Sequence, residues 1–424
     1  MTLITEKTDR MSKISLASKG FPHEEMMHQL QEKINEIPYK GKETFLNTPV
    51  QLGEESLKDY AFLSHVLHHV FERVVINYLQ DERLQDIYQL DDFFNAVIDT
   101  ANQVPYQVGF YRPDFVYDTT GQEKICEIGC RYPINGWMLS HYLNEVSEQF
   151  AKQTNMNWSA IPEQSGFFAE FEKKFNKDEP VFLVHKREKG TEVNYLIKEL
   201  AEKGIRIVSI TPEELTLEEG VLMGKGEAAN QFFLELDREE LRLFDQLVLK
   251  ALILKGNCIN DVRSIILLHD KRIMAVLYDH NIMINYISGE DYDFLKKFLI
   301  PTFTLNNQQN KDFLLITDQN WILKPNSGGR GIDVFIKDEC TPETWKDIVT
   351  NKWKDYMVQN YIEQQKFTIV SGGEKREINL VGLILCCNNK SYGPGLFRGS
   401  SDSVINLHEG RGVVLPCVLD KSIE

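Results

Sequence analysis

No apolar run in these 424 residues is clean enough to cross a bilayer. The most apolar long stretch, Tyr60 to Leu79, is interrupted by His65, His68, His69, Glu72 and Arg73, and reads as an amphipathic helix. Positive charge is in deficit, with 47 lysines and arginines against 63 aspartates and glutamates and a formal net charge of -16. A nucleic-acid binder needs a basic face to neutralise phosphates, so that class is disfavoured. The seven cysteines are odd in number and form no Cys-x-x-Cys pair. A reduced, cytoplasmic setting is therefore expected. Also missing are a Walker A loop, a Gly-x-Gly-x-x-Gly turn, and any Ser-His or Cys-His signature of a side-chain nucleophile. There are no internal repeats and no low-complexity tract. The first 25 residues are polar and mixed, without the ordered parts of a targeting segment, and are expected to form a loose terminus.

What is present is the composition of an ordinary globular enzyme, 42% hydrophobic and 26% charged, over a length that suggests two or three domains. Helical periodicity runs from about Glu54 to Asn102, with Phe62, Val66, Phe71, Val75 and Leu79 on one apolar side. His65, His68 and His69 have a metal-compatible spacing but no obvious carboxylate partner, so a structural or surface role is expected. Strands follow at Val108 to Tyr117 and Ile125 to Ile128, then a loop over Arg131 to Gly136 and a helix from Trp137 to about Thr154. Pro180 to Val184, Val193 to Lys203 and Ile205 to Ile210 form a strand–helix–strand unit, and Thr211-Pro212-Glu213-Glu214 resembles a helix start. Later strands are expected at Tyr356 to Ile362, Glu377 to Cys387 and Gly412 to Leu419.

The chemistry concentrates at Ile322 to Val334. An apolar run delivers Lys324, a glycine-rich loop follows at Ser327 to Gly331, and a second apolar run returns. Such a hairpin can fold over a polyphosphate, because glycines let backbone N–H groups approach the oxygens while the lysine supplies charge. An ordinary hairpin is the competing reading. Lys271, just before the helical pattern at Ile273, could reach a phosphate. Tyr356 to Ile362, followed by Glu363, suits the edge of a nucleotide cleft, since an extended backbone can match the donor and acceptor of adenine. Glu127 lies inside an apolar strand and needs a partner there, either Mg²⁺ on phosphates or an ion pair with Arg112 or Arg131. Arg112, Arg398 and Arg411 stand among glycines and prolines, where a guanidinium can clamp a carboxylate or phosphoryl group.

In order, Arg112-Pro113-Asp114, Glu127-Ile128, the strand–helix–strand unit, Asp270-Lys271, Leu323-Lys324-Pro325 with its loop, Tyr356 to Glu363, Leu396-Phe397-Arg398 and Gly410-Arg411-Gly412 resemble the eukaryotic-type glutathione synthetases. They are similar also to the glutathionylspermidine synthetase group. The resemblance implies a mixed α/β chain with a circularly permuted ATP-grasp fold, a Rossmann-like βαβ substrate domain and an N-terminal helical region. The implied divisions are 1–104 helical, 105–175 carrying the metal-binding strand, 176–262 substrate domain and 263–424 nucleotide-binding region. ATP and Mg²⁺ are the implied cofactors. Lys271, Lys324, Ser327, Gly328, Gly329, Arg330 and Gly331 would hold the phosphates, and Gln359, Asn360, Tyr361, Ile362 and Glu363 the adenine. Glu127 would bind metal, and Arg398, Arg112 and Arg411 would form the catalytic, substrate-holding set.

Three positions depart from the family. Gly129 stands where a metal-binding asparagine is expected, Asn326-Ser327-Gly328 lacks a glutamate, and Ser400 replaces a lid lysine. Glu377 and Asn379, alternating onto one strand face, are the substitute ligands expected here. The implied activity is an ATP-dependent carboxylate–amine ligase working through an acyl phosphate, on small-molecule carboxylate and amine substrates, with a homodimer as a further expectation and no nucleic-acid or membrane partner. The alternatives are a catalytically degenerate nucleotide-binding protein and an ATP-grasp phosphotransferase.

Overall fold

Local capping and turn chemistry divide the chain into its elements. The computed structural model describes residues 14–17, 20–34, 38, 44–154, 156–186, 192–329, 331–371, 374–405, 407 and 412–423. Strands β1 (Ile14–Leu16) and β2 (Val50–Leu52) flank α1 (His23–Lys33). The periodic stretch after them forms three helices, α2 (Glu54–Asn77), α3 (Glu82–Tyr88) and α4 (Asp92–Ala101). Side chains of Asp81 and Asp91 accept the N–H groups of Arg83 and of Phe93 and Phe94, capping α3 and α4. Val66, Phe71 and Val75 are buried, but Phe62 is 42% exposed, its ring edge-on to Phe294. The buried stripe centres on Leu63, Leu67, Val70 and Val74, and Phe62 lies one residue off it. His65 and His69 are exposed, and His68 meets Glu72 at 3.5 Å.

Next come β3 (Phe110–Tyr117), β4 (Glu123–Gly129), α5 (Trp137–Thr154), β5 (Trp158–Ser159) and α6 (Phe167–Glu172). The expected strand–helix–strand unit is β6 (Val181–His185), α7 (Val193–Glu202) and β7 (Ile207–Ile210), with β6 and β7 parallel. The helix expected from Thr211 is a single 3-10 turn, Pro212–Glu214. The chain instead enters an antiparallel meander of β8 (Leu215–Glu218), β9 (Val221–Gly224) and β10 (Glu227–Ala228). Its turns pair Glu219 with Gly220 and Lys225 with Gly226, all at positive φ, the geometry that matches strand twist in two-residue hairpins. Strand β11 (Gln231–Glu235) then joins β6 in parallel, and α8 (Gln246–Lys255) follows.

The remainder runs α9 (Ile273–Tyr278), α10 (His280–Met283), α11 (Gly289–Lys296), β12 (Thr302–Thr304), α12 (Gln308–Ile316), β13 (Trp321–Pro325), β14 (Phe335–Ile336), α13 (Pro342–Asn351) and β15 (Tyr356–Asn360). It ends with β16 (Phe367–Ser371), β17 (Glu374–Cys387), β18 (Lys390–Pro394), β19 (Phe397–Ser400), β20 (Gly412–Leu415) and β21 (Cys417–Asp420). Two sheets matter for the site. One is antiparallel, in the order β12-β15-β13-β14, and has its own core of Leu314, Trp321, Leu323, Trp345, Ile348 and Val358 among others. The other has seven strands along β20-β19-β17-β3-β4, with β16 and β18 also pairing β17. The single strand expected over Gly412 to Leu419 is two, in different sheets, because Pro416 between them has no N–H to continue a ladder. Strand β21 joins β1, β2 and β5 instead. The mixed α/β class expected from sequence is the one adopted. Among the described residues, all seven cysteines are free and no helix is long and apolar enough to cross a membrane.

Glu145 ties α5 to α1 through Lys33 at 2.6 Å and meets His141 at 3.4 Å. His141, then Lys33, hold its carboxyl down at about 2, against an ordinary 4.5. That contribution is present above pH 4.5 and is lost as pH falls from there through about 2. With the side chain 39% exposed, solvent screening limits it to about 1 kcal/mol. Glu145→Gln is expected to flatten this part of the stability–pH curve in urea unfolding; an unchanged slope would refute the assignment.

Candidate functional site

The antiparallel sheet and the seven-stranded sheet meet across a cleft of about 1050 Å³, counted to its open mouth. Strands β13 and β15 contribute Ile322, Lys324, Gln359 and Asn360, and the chain beyond β15 adds Tyr361, Ile362 and Gln364. The opposite wall supplies Asp114, Val116, Cys126, Glu127, Val381 and Arg398. Lys271 enters beside α9. Ser327, Gly328, Gly329, Gly331 and Ile332 of the glycine loop face Ser403, Val404 and Ile405 at the mouth. The walls thus combine apolar side chains with three cations and two carboxylates, a lining suited to a flat ring bearing an anionic tail.

The charges are held by specific contacts. Lys324 Nζ donates to Gln359 Oε1 at 2.7 Å and to the Cys126 carbonyl at 3.1 Å. Lys271 Nζ donates to the Gly328 carbonyl at 2.7 Å and lies 4.0 Å from Glu127 Oε2. Burial pushes the Lys271 pKa below its usual value. For Glu127, burial opposes ionisation, but Lys271, Lys324 and Arg398 outweigh it and hold the carboxyl below its ordinary range. Asp114 is only 3% exposed and burial raises its pKa, although Arg398 donates to its Oδ2 at 2.5 Å; its Oδ1 is buried without a hydrogen-bond partner. The Cys126 thiol, pushed up to about 12 by burial, stays protonated and donates to the Asp114 carbonyl.

The backbone explains how these groups converge. Pro113 has no N–H, and the β3–β17 ladder is interrupted opposite Arg112 and Pro113, while β4 bulges at Cys126, between the partners of Asp114 and Phe115. That irregularity sits beside the paired Asp114 and Glu127. In the loop, Asn326 accepts from the Lys271 N–H at 2.8 Å through its carbonyl and donates from its own N–H to Asp355 and from Nδ2 to Lys354. Gly328 and Gly331 adopt positive φ, and a Cβ at Gly331 would come 2.5 Å from Val404.

Several expected site residues lie elsewhere. Arg112 does not line the cleft; its guanidinium lies beside Gly129 and Gly136, 2.6 and 2.9 Å from where a Cβ would stand. Gly129 is thus the space that Arg112, its partner in the β3–β4 ladder, requires. Glu363 is exposed and outside the cleft. Glu377 is exposed because β17 there has run past its pairing with β3 and β19 and meets only β16, opposite Thr368. Asn379 is buried outside the cleft and donates to the Asp402 carbonyl at 3.2 Å. The ion pair weighed for Glu127 goes to Lys271, while Arg131 is bound to Asp237 at 2.5 Å. Arg330 and Arg411 lie outside the described residues. Among the described residues no group of three or more His, Cys, Asp or Glu is arranged for a metal. Cys126 and Gln364 carry no signal that singles them out in the sequence, and Asp114 enters it only as part of Arg112-Pro113-Asp114, with no role of its own, although an acid within an apolar strand next to Pro113 was the available signal.

The family model described as the AnkG N-terminal domain matches residues 63–267, just under half of the 424-residue chain. That stretch includes Asp114 and Glu127 and ends before Lys271. No curated protein matches. Among solved structures, a RimK domain protein ATP-grasp from Sphaerobacter thermophilus DSM 20745 is similar over 57% of this chain and 92% of that one, at 14% identity and a TM-score of 0.30. A likeness that slight carries no argument.

Gly129→Ala is expected to displace the Arg112 guanidinium at a cost of about 1 kcal/mol, low for overpacking because the obstructing atom ends a flexible side chain. Adding Arg112→Ala should cost less than the sum of the single changes in urea unfolding. Strict additivity would show that the two do not compete for space.

Proposed function

We propose that this chain is an ATP-grasp enzyme, an ATP-dependent carboxylate–amine ligase acting on an amino acid or small peptide. The observation that carries the reading is the convergence of Lys271, Lys324, Glu127 and Arg398 on one cleft, between two sheets and beneath a glycine loop. These are the residues the family resemblance placed at nucleotide, metal and substrate. A carboxylate is a poor electrophile because its charge repels a nucleophile. Phosphorylation by ATP makes an acyl phosphate, and an amine then displaces phosphate to leave an amide. Catalysis of that kind is mainly positioning and charge neutralisation, so it needs no side-chain nucleophile.

In this reading Lys324 and Lys271 hold phosphate oxygens, and the apolar side chains Val116, Ile322, Ile332 and Ile362 flank the base. Arg398, steadied by Asp114, orients the acceptor carboxylate. The glycine loop closing on Ser403 to Ile405 excludes water that would hydrolyse the acyl phosphate. Glu127 and the unpartnered Oδ1 of Asp114 suit Mg²⁺, which commonly takes one or two carboxylates and fills its remaining positions with phosphate and water. Bound there, Mg²⁺ would neutralise phosphate charge.

One observation favours a second reading, nucleotide binding without turnover. Neither of two of the family's metal-ligand positions carries a ligating side chain here: Gly129 makes room for Arg112, and Gly328 offers only its carbonyl, which accepts from Lys271. A screen for ADP release with Mg²⁺ across amino acids, dipeptides and amines, with mass analysis of products, separates the two. The ligase reading expects an amide whose formation falls about 10²-fold or more in Lys324→Ala and in Glu127→Ala. Amide formation surviving both changes would refute it, and ATP binding without turnover on any pair would favour the second reading.

A further inference from the structure

Gln359 lies on the strand expected to hold adenine, yet its side chain is committed elsewhere. It is 1% exposed and sits on one sheet face with Thr302 of β12 and Lys324 of β13. The ladder places Gln359 opposite both Thr302 and Ile322, and Lys324, two residues beyond Ile322, keeps the same face. Thr302 Oγ1 donates its proton to the Ile300 carbonyl at 2.8 Å, so towards Gln359 it can only accept. The amide nitrogen of Gln359 therefore faces Thr302 at 3.1 Å. Lys324 can only donate, so the amide oxygen faces it at 2.7 Å. Both ends of the amide are thereby assigned by chemistry alone.

From this we infer that Gln359 is a positioning residue for the phosphate lysine and does not read the base. A lysine carries its charge on a flexible four-carbon stem, and fixing it costs entropy that nucleotide binding would otherwise bear. Here two of the three ammonium protons go to Gln359 Oε1 and the Cys126 carbonyl, leaving one for an oxygen in the cleft. Both acceptors are neutral, so the lysine is held without its charge being cancelled. A carboxylate at position 359 would hold it equally well and neutralise it. The main-chain N–H groups of Asn360 and Tyr361 are also spent, on the carbonyls of Pro301 and Asn320.

The inference rests on the nucleotide reading of the cleft, and the test separates the two. Dissociation constants for ATP and for adenosine would be measured on the full chain and on Gln359→Met, Gln359→Glu and Thr302→Val, by displacement of a fluorescent ATP analogue. Gln359→Met should weaken ATP about tenfold, the scale of one hydrogen bond to a charged group, and leave adenosine within about twofold. Gln359→Glu should weaken ATP further, again sparing adenosine. Thr302→Val, which removes only the anchor, should show the same pattern more mildly and covers the case in which a Gln359 variant does not fold. Parallel losses for ATP and adenosine, or no loss for ATP, would overturn the positioning role. Failure of the unaltered chain to bind ATP would instead overturn the nucleotide reading, and the positioning role with it.

Discussion

Lys271 is a nearly buried cation placed where two walls meet. Its side chain donates to the Gly328 carbonyl of the glycine loop and lies 4.0 Å from Glu127 on the opposite sheet. Its backbone N–H holds Asn326 at the root of that loop. Burying a charge is costly unless it is paired and hydrogen-bonded, and both requirements are met here only if loop and floor stay close. An anionic ligand would give Lys271 a better partner and free the Gly328 carbonyl.

The floor is organised by the same need to pair charge. Asp114 on β3 and Arg398 on β19 reach each other across β17, the long strand between them. Pro113 loosens the ladder beside them and Gly129 leaves room for Arg112, so that three arginine-bearing and acid-bearing positions fit into one patch of sheet. Lys324 is steadied across the opposite wall by a neutral amide. Cations held by carboxylates on one side and by neutral oxygens on the other leave net positive charge for a ligand.

Much of this was legible in the sequence where a period or a fixed covalent constraint carried it. The β6–α7–β7 unit, strand β13 with its loop and the helix from Trp137 all follow from apolar spacing and a glycine or proline at their ends, whereas the strand returning from that loop begins at Phe335, just past the expected run. The meander after Thr211 is hidden in the sequence because Thr-Pro-Glu-Glu looks like a helix start, while the deciding residues, Glu219-Gly220 and Lys225-Gly226, lie further on. Glu377 failed as a ligand because alternation tells which face a residue takes but not where along β17 the partner strands stop. At Gly129 and Gln359 the sequence offers only a comparison with what the family has at those positions. Their actual surroundings, the Arg112 guanidinium and the Lys324 ammonium, come from strands brought alongside by register, which one sequence does not display. That Lys271, Lys324 and Arg398 belong to one cleft was legible; how their charges are balanced was not.

The central claim, that one cleft between the two sheets takes the nucleotide, is tested most directly by hydrogen exchange with and without ATP and Mg²⁺. Slowed exchange is predicted in both walls together, over Trp321 to Gly329 and Tyr356 to Gln364 on one side and over Asp114 to Gly129 on the other. Protection confined to one wall, located elsewhere in the chain, or absent at saturating ATP would contradict it.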